Sequence, residues 1–97
     1  GVAVAVVDHL VGRVTAAQAA DELLNISGVD ASFVLFPDGE RVIISARSMG
    51  DTNVQVILEK LGGGGNAAAA GGQIPGSIHQ VARDLFAAID QYFEEEI

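Results

Sequence analysis

A single α/β (α+β) domain, a mixed β-sheet of about four to five strands with helices packed on it, is predicted for this chain of 97 residues by three observations. The first is Gly1-Val2-Ala3-Val4-Ala5-Val6-Val7, an uncharged apolar run that reads as a buried strand. The second is a pair of β-branched and aromatic runs, Ala31 to Phe36 and Arg41 to Ala46, which read as an antiparallel hairpin joined by Pro37-Asp38-Gly39-Glu40. The third is the recurrence of apolar residues at helical spacing elsewhere, so that the elements run β-α-β-β-α-glycine loop-(β)-α.

After the first strand, Asp8 to Val14 lead to a helix for which Thr15-Ala16-Ala17-Gln18 has capping-box spacing. Ala16, Ala19, Ala20, Leu23 and Leu24 give it one apolar face, small enough to approach a sheet closely, and Ser27-Gly28 ends it. In the hairpin turn Pro37 is expected to set φ and Gly39 to supply a positive φ. The second hairpin strand leaves through Arg47 to Thr52, and either Asp51 or Thr52 can cap a helix beginning near Asn53 and ending in the glycines. Ala69 to Ile74 reads as a further short strand, in spite of its weak strand formers, and Pro75-Gly76 breaks it. Ser77-Ile78-His79-Gln80 is a second capping box. It opens a long helix in which Ile78, Val81, Ala82, Leu85, Phe86, Ala88, Ile89 and Phe93 recur at helical spacing. Glu94-Glu95-Glu96 lies at the negative end of that helix's dipole and is expected to fray.

Residues 1–97 make one domain, and a content of 49% hydrophobic and 19% charged residues fits a compact unit. The absence of cysteine excludes disulfides and thiolate metal sites. Thirteen acidic against five basic residues leave a net charge of −8, which opposes sequence-independent binding to duplex nucleic acid. Any anionic ligand must therefore be held locally. The first apolar run stops at Asp8, short of the roughly 20 residues of a membrane helix, and lacks the basic flank of a signal peptide; no direct membrane contact is expected. A chain that begins on a strand, without an initiator methionine, is expected to be a domain of something longer.

Two stretches carry candidate chemistry. In Gly62 to Gly65, consecutive peptide N–H groups could line a concave anion site, or the glycines could serve as a helix C-cap with a flexible linker. They match neither the Lys-Ser/Thr phosphate loop nor a spaced G-x-G-x-x-G. Ser45-Ala46-Arg47-Ser48 sits at a strand end leading into a helix start, where ligands of open sheets bind. Arg47 is a natural anion clamp, with Ser45 or Ser48 adding a donor; otherwise it is a surface partner for Asp51 or Glu59. A helix from Asn53 to Leu61 would separate the two features by only some 13 Å, favouring one shared phosphate pocket. Asp8-His9 could ligate a metal, but a second ligand cluster would be needed, and the other histidine, His79, opens the last helix. With no serine in a nucleophile elbow and the carboxylates scattered, no metal site, no catalytic residue and no autonomous hydrolysis are expected in this chain.

The string from Ile44 through Ser45-Ala46-Arg47-Ser48 to Leu61-Gly62-Gly63-Gly64-Gly65 resembles the C-terminal DHH-associated domain of DHH-type phosphoesterases. Within that superfamily it is most similar to the cyclic di-AMP phosphodiesterases of Gram-positive bacteria. Ala19-Ala20-Asp21 and Gly28-Val29-Asp30-Ala31-Ser32-Phe33-Val34-Leu35 extend the likeness over most of the chain. The resemblance implies a preceding DHH domain that holds manganese and the attacking water, with this chain as the substrate-binding half of the cleft. It also implies a cytoplasmic domain whose parent protein can be membrane-anchored.

The site residues so implied are Ser45, Arg47, Ser48, Gly63, Gly64, Gly65 and Asn66, and the ligand a cyclic or linear dinucleotide. In the family pattern Gly-Gly-Gly-His-x-x-Ala-Ala-Gly the histidine contacts phosphate; here Asn66 stands in its place, followed by Ala69-Ala70-Gly71. Asparagine donates a hydrogen bond but carries no charge, so a weakened or altered phosphate grip is expected. Two other readings stay open: the same domain of an oligonucleotide or nucleoside-phosphate phosphoesterase, and a non-catalytic binding or interaction domain whose glycines serve folding.

Overall fold

Side chains alternate across a strand, and in the hairpin both sets are apolar, so both faces of the sheet must be covered. The computed structural model, which describes residues 1–95, shows this arrangement. Its elements are β1 (Val2–Val6), α1 (Arg13–Leu23), β2 (Ala31–Asp38), β3 (Arg41–Ser48), α2 (Val54–Glu59), β4 (Gly64–Gly65), β5 (Ala69–Pro75) and α3 (Ile78–Glu95). The predicted α+β class with a mixed sheet is what forms. Five strands lie in the order β1-β2-β3-β5-β4. β1 and β2 are parallel, connected through α1, and the remaining pairs are antiparallel.

Phe33, Leu35, Val42, Ile44 and Ala46 face a core closed by Val54, Ile57 and Leu58 of α2 and by Val81, Leu85 and Ile89 of α3. Val34, Phe36 and Ile43 face the other way, onto Ala16 and Ala20 of α1. On this second face the buried Ser32 hydroxyl donates to the Ala20 carbonyl at 2.6 Å, fixing α1 on β2. Because α1 packs mainly on β2 and β3, the β5–β4 side of that face is left uncovered.

Several boundaries differ from expectation. α1 begins at Arg13, with Gly12 as its N-cap at φ 96° and no side-chain cap, so Thr15 lies inside the first turn. The turn from β1 onto the sheet face requires a backbone conformation open to glycine, and that outweighs the capping box. Pro37 belongs to β2, paired with Val42; the ladder to β1 ends at Leu35, so its missing N–H costs no bond there. The turn is Gly39-Glu40, with Gly39 at φ 63°. α2 has only six residues and is capped by Asn53, whose Oδ1 accepts from the Val56 N–H at 3.3 Å, rather than by Asp51 or Thr52.

At α3, the Ser77 hydroxyl accepts from the Gln80 N–H at 3.1 Å, while the Gln80 side chain turns to Asp84 instead of closing the box. Tyr92, not Phe93, faces the core; Phe86 and Phe93 are exposed. The helix continues through Glu94 and Glu95, and Glu95 pairs with Lys60 at 3.6 Å, which offsets the dipole cost; Glu96 lies outside the described residues.

The Tyr92 hydroxyl accepts from the Asn53 N–H at 2.9 Å and donates to the Asp51 carbonyl at 3.3 Å, tying α3 to the start of α2. Tyr92→Phe is expected to cost about 1–2 kcal/mol, one buried bond pair being lost, and to lower Tm by several degrees. A thermal melt that does not move would show that water replaces the hydroxyl without cost.

Candidate functional site

The uncovered part of the sheet forms the floor of an open groove of about 790 Å³ between α1 and the β3-β5-β4 strands. Its position follows from register. Ser45 pairs with Gly71 and Gly71 with Gly64, so the row crossing the sheet beyond Ser45 carries no side chains. Arg47 and Arg41, an even number of residues from Ser45 on β3, project onto the same face. Arg13 enters from α1, and Gln73 from β5 lies against it; with its amide oriented so that the oxygen faces the guanidinium, Gln73 accepts from Arg13 Nη1 at 3.1 Å. Three of the five cationic side chains of an acidic chain thus line one groove, and no Asp or Glu lines it.

Arg47 is held rather than free. Its Nε donates to Asp21 Oδ1 at 3.2 Å and its Nη1 to the Ala46 carbonyl at 2.8 Å, which fixes the fork along the groove wall. The partner is Asp21 of α1, not Asp51 or Glu59. α1 lies on the face to which Arg47 points, whereas the α2 end of the chain lies on the other.

The glycines divide their roles. Gly62, at φ 97°, and Gly63 close a Schellman motif on α2: the Gly62 N–H donates to the Glu59 carbonyl at 3.2 Å and the Gly63 N–H to Leu58 at 2.8 Å. Those two N–H groups are consumed in the helix cap, so they do not form the concave anion nest that the sequence suggested. A Cβ on Gly63 would come within 2.6 Å of the Gly71 carbonyl, and one on Gly65 within 2.5 Å of the Ala69 carbonyl. Gly64 differs: a Cβ there would meet nothing within 4 Å, because the residue faces the groove.

Of the residues singled out in the sequence, Ser45, Arg47, Gly63 and Gly64 line the groove together. They meet across the sheet, not at opposite ends of α2, which lies on the other face. Ser48 points to that other face, buried, with its hydroxyl donating to the Asp30 carbonyl at 3.2 Å; strand alternation separates it from Ser45 and Arg47. Gly65 pairs with Ala70 on the edge strand. Asn66 is exposed at the β4–β5 turn, where its Oδ1 accepts from the N–H groups of Ala68 at 3.0 Å and Ala69 at 2.9 Å.

Arg13, Arg41 and Gln73 escape a reading of the sequence. No local motif marks them, and only the adjacency of β3 and β5 and the placement of α1 bring them together. Asp8 and His9, 3.1 Å apart, are both exposed; the hydrogen bond from His9 holds the Asp8 carboxyl below its ordinary range. Among the described residues no group of three or more His, Cys, Asp or Glu side chains is placed to hold a metal ion. No helix among them is long and apolar enough to cross a membrane.

Fold and groove together define an α+β module with a cationic, glycine-floored cleft on an acidic body. A family model described as the DHHA1 domain matches residues 1–95, and the chain belongs to that family. It is 48% identical over 91 residues to the cyclic-di-AMP phosphodiesterase PdeA of Listeria monocytogenes serotype 1/2a (strain 10403S), a match covering 92% of this chain and 14% of that protein. It is 50% identical over 84 residues to the cyclic-di-AMP phosphodiesterase GdpP of Bacillus subtilis (strain 168), covering 84% of this chain and 13% of that protein. The chain therefore spans less than one-sixth of the length of these curated relatives. Among solved structures, an exopolyphosphatase-related protein from Bacteroides fragilis aligns with a TM-score of 0.69 at 30% identity, over 75% of this chain and 22% of that one. The likeness carried by residues 44–65 is borne out.

Proposed function

We propose that this chain is the substrate-recognising domain of a cyclic di-AMP phosphodiesterase. Its groove would complete a cleft whose other wall is a DHH domain carrying manganese and the attacking water. The observation that carries this reading is the clustering of Arg13, Arg41 and Arg47 over a bare glycine floor, with no carboxylate among the lining residues, in a chain of net charge −8. Such a cluster concentrates positive potential where a phosphate can be gripped, while the body around it repels polyanions. The floor admits a ribose or base against backbone. The names of the relatives at 48% and 50% identity supply the choice of dinucleotide. In this reading the domain works in the cytoplasm, within a parent protein that can be membrane-anchored.

Calorimetric titration with cyclic di-AMP and with its linear product is the test, alongside incubation with cyclic di-AMP and manganese followed by product chromatography. Binding without turnover is expected. The chain supplies the grip, and it offers no donor set for the ion among its described residues. Absence of any binding, or turnover that survives repurification and is abolished by a chelator, would overturn the reading.

Asn66 gives a second test. Asn66→His is expected to tighten dinucleotide binding several-fold at pH 5.5 and much less at pH 8, because an unperturbed imidazole gains its charge below about pH 6.5. The loss of two exposed turn hydrogen bonds lowers stability by about 1 kcal/mol. An affinity ratio between variant and parent that is equal at both pH values would place Asn66 beyond the ligand's reach.

A further inference from the structure

We propose that Arg13 and Arg41 form a second anion subsite at the end of the groove away from Arg47, taking the terminal 5′-phosphate of a linear dinucleotide whose internal phosphodiester lies at Arg47. This rests on the dinucleotide reading above and adds to it a preference that no sequence motif marks.

The first support is charge bookkeeping within the groove. Arg47 is offset by Asp21, and Lys60 by Glu95. Arg13 and Arg41 form no ion pair among the described residues, although the chain has thirteen carboxylates to offer. Two uncompensated guanidinium groups lining one cleft repel each other, and an anion between them relieves that repulsion. Gln73, which shares their face of the sheet, holds the Arg13 fork by its amide oxygen and so orients it without neutralising it.

The second support is spacing. Arg41 precedes Arg47 by six residues on β3, about 20 Å between Cα atoms at the rise of an extended strand. Arg13 precedes Asp21, the partner of Arg47, by eight residues on α1, about 12 Å of helix. The two cationic ends therefore lie far enough apart to take separate anionic groups of one ligand.

The third support is the match of charges. A phosphate monoester carries about −1.5 to −2 at pH 7, its second proton leaving near pH 6, whereas a phosphodiester carries one negative charge. The doubly cationic end suits the monoester and the half-neutralised Arg47 end suits the diester. A cyclic dinucleotide has no monoester, so the groove favours the linear, 5′-phosphorylated form.

The test titrates the chain with linear diadenosine dinucleotide bearing a 5′-phosphate and with the same dinucleotide lacking it, at pH 7.5 and pH 5. The proteins are the parent, the Arg13→Gln/Arg41→Gln double variant, each single variant, and Arg83→Gln as a charge-matched control on α3. The parent is expected to prefer the phosphorylated ligand about tenfold or more at pH 7.5, the usual effect of a charge-assisted hydrogen bond, and less at pH 5. The double variant should bind both ligands as the parent binds the unphosphorylated one, each single variant should lose part of the preference, and Arg83→Gln should keep all of it. A preference that survives in the double variant would remove the subsite while leaving the dinucleotide reading intact. Failure of both ligands to bind the parent would remove both. AMP binding as tightly as the phosphorylated dinucleotide would overturn the two-ended arrangement.

Discussion

Arg47→Ala is expected to weaken dinucleotide binding by about 1.5–3 kcal/mol, roughly ten- to a hundredfold, with the fold unchanged. The size follows from a guanidinium already fixed by Asp21 and the Ala46 carbonyl, so that little rotamer freedom is lost when phosphate arrives. Stability should move by less than about 1 kcal/mol, because the pair with the exposed Asp21 is a surface one. Arg47→Lys should lose most of the same affinity, since a lysine cannot hold Asp21 through one nitrogen and phosphate through the others. Titration of both variants beside a thermal melt decides the matter. Parent-like affinity in Arg47→Ala would mean that the ligand sits elsewhere.

Gly64→Val should abolish detectable binding while leaving Tm close to that of the parent. Gly64 is not in the left-handed region, and a Cβ there has no protein neighbour within 4 Å, so the isopropyl group would occupy groove space that the proposed ligand needs. Gly65→Ala is the contrasting variant. Its φ of 143° and the 2.5 Å approach of a Cβ to both the Ala69 carbonyl and the Ala70 Cα require the edge strand to shift. That variant should lose about 1–3 kcal/mol of stability, the range for a residue forced into a sparsely populated conformation. If Gly64→Val binds as well as the parent, the glycine floor is not a contact surface. If it melts as early as Gly65→Ala, its effect on binding is structural.

The hairpin was legible because Ala31 to Phe36 and Arg41 to Ala46 are rich in β-branched and aromatic residues with apolar side chains at both alternating sets of positions, the pattern of strands buried on both faces. α3 was legible from its period, though Phe93 and Tyr92 are neighbours and hydrophobicity alone chose the wrong one: the phenol of Tyr92 is drawn inward by two backbone partners. Arg47, Ser45 and the glycines were legible as a candidate site, but the short helix between them in sequence is not what brings them together. They meet because β5 inserts between β3 and β4, a fact of strand order that periodicity does not encode. Ser48 shows the same limit in reverse, since adjacency to Arg47 in sequence puts it on the opposite face. Arg13, Arg41 and Gln73 come from three elements and have nothing local to announce them.

The place of β1 at the end of the sheet affects how the chain behaves in solution. One side of Val2–Val6 pairs with β2; along the other, the peptide groups face outward from an uncharged Val-Ala-Val-Ala-Val segment. An apolar edge of this kind, without lysine, proline or a bulge, is a template for strand addition. At high concentration two copies can join edge to edge through it and extend the sheet across both. A slow rise in light scattering while the secondary-structure signal stays constant would report association through that edge rather than unfolding of the core.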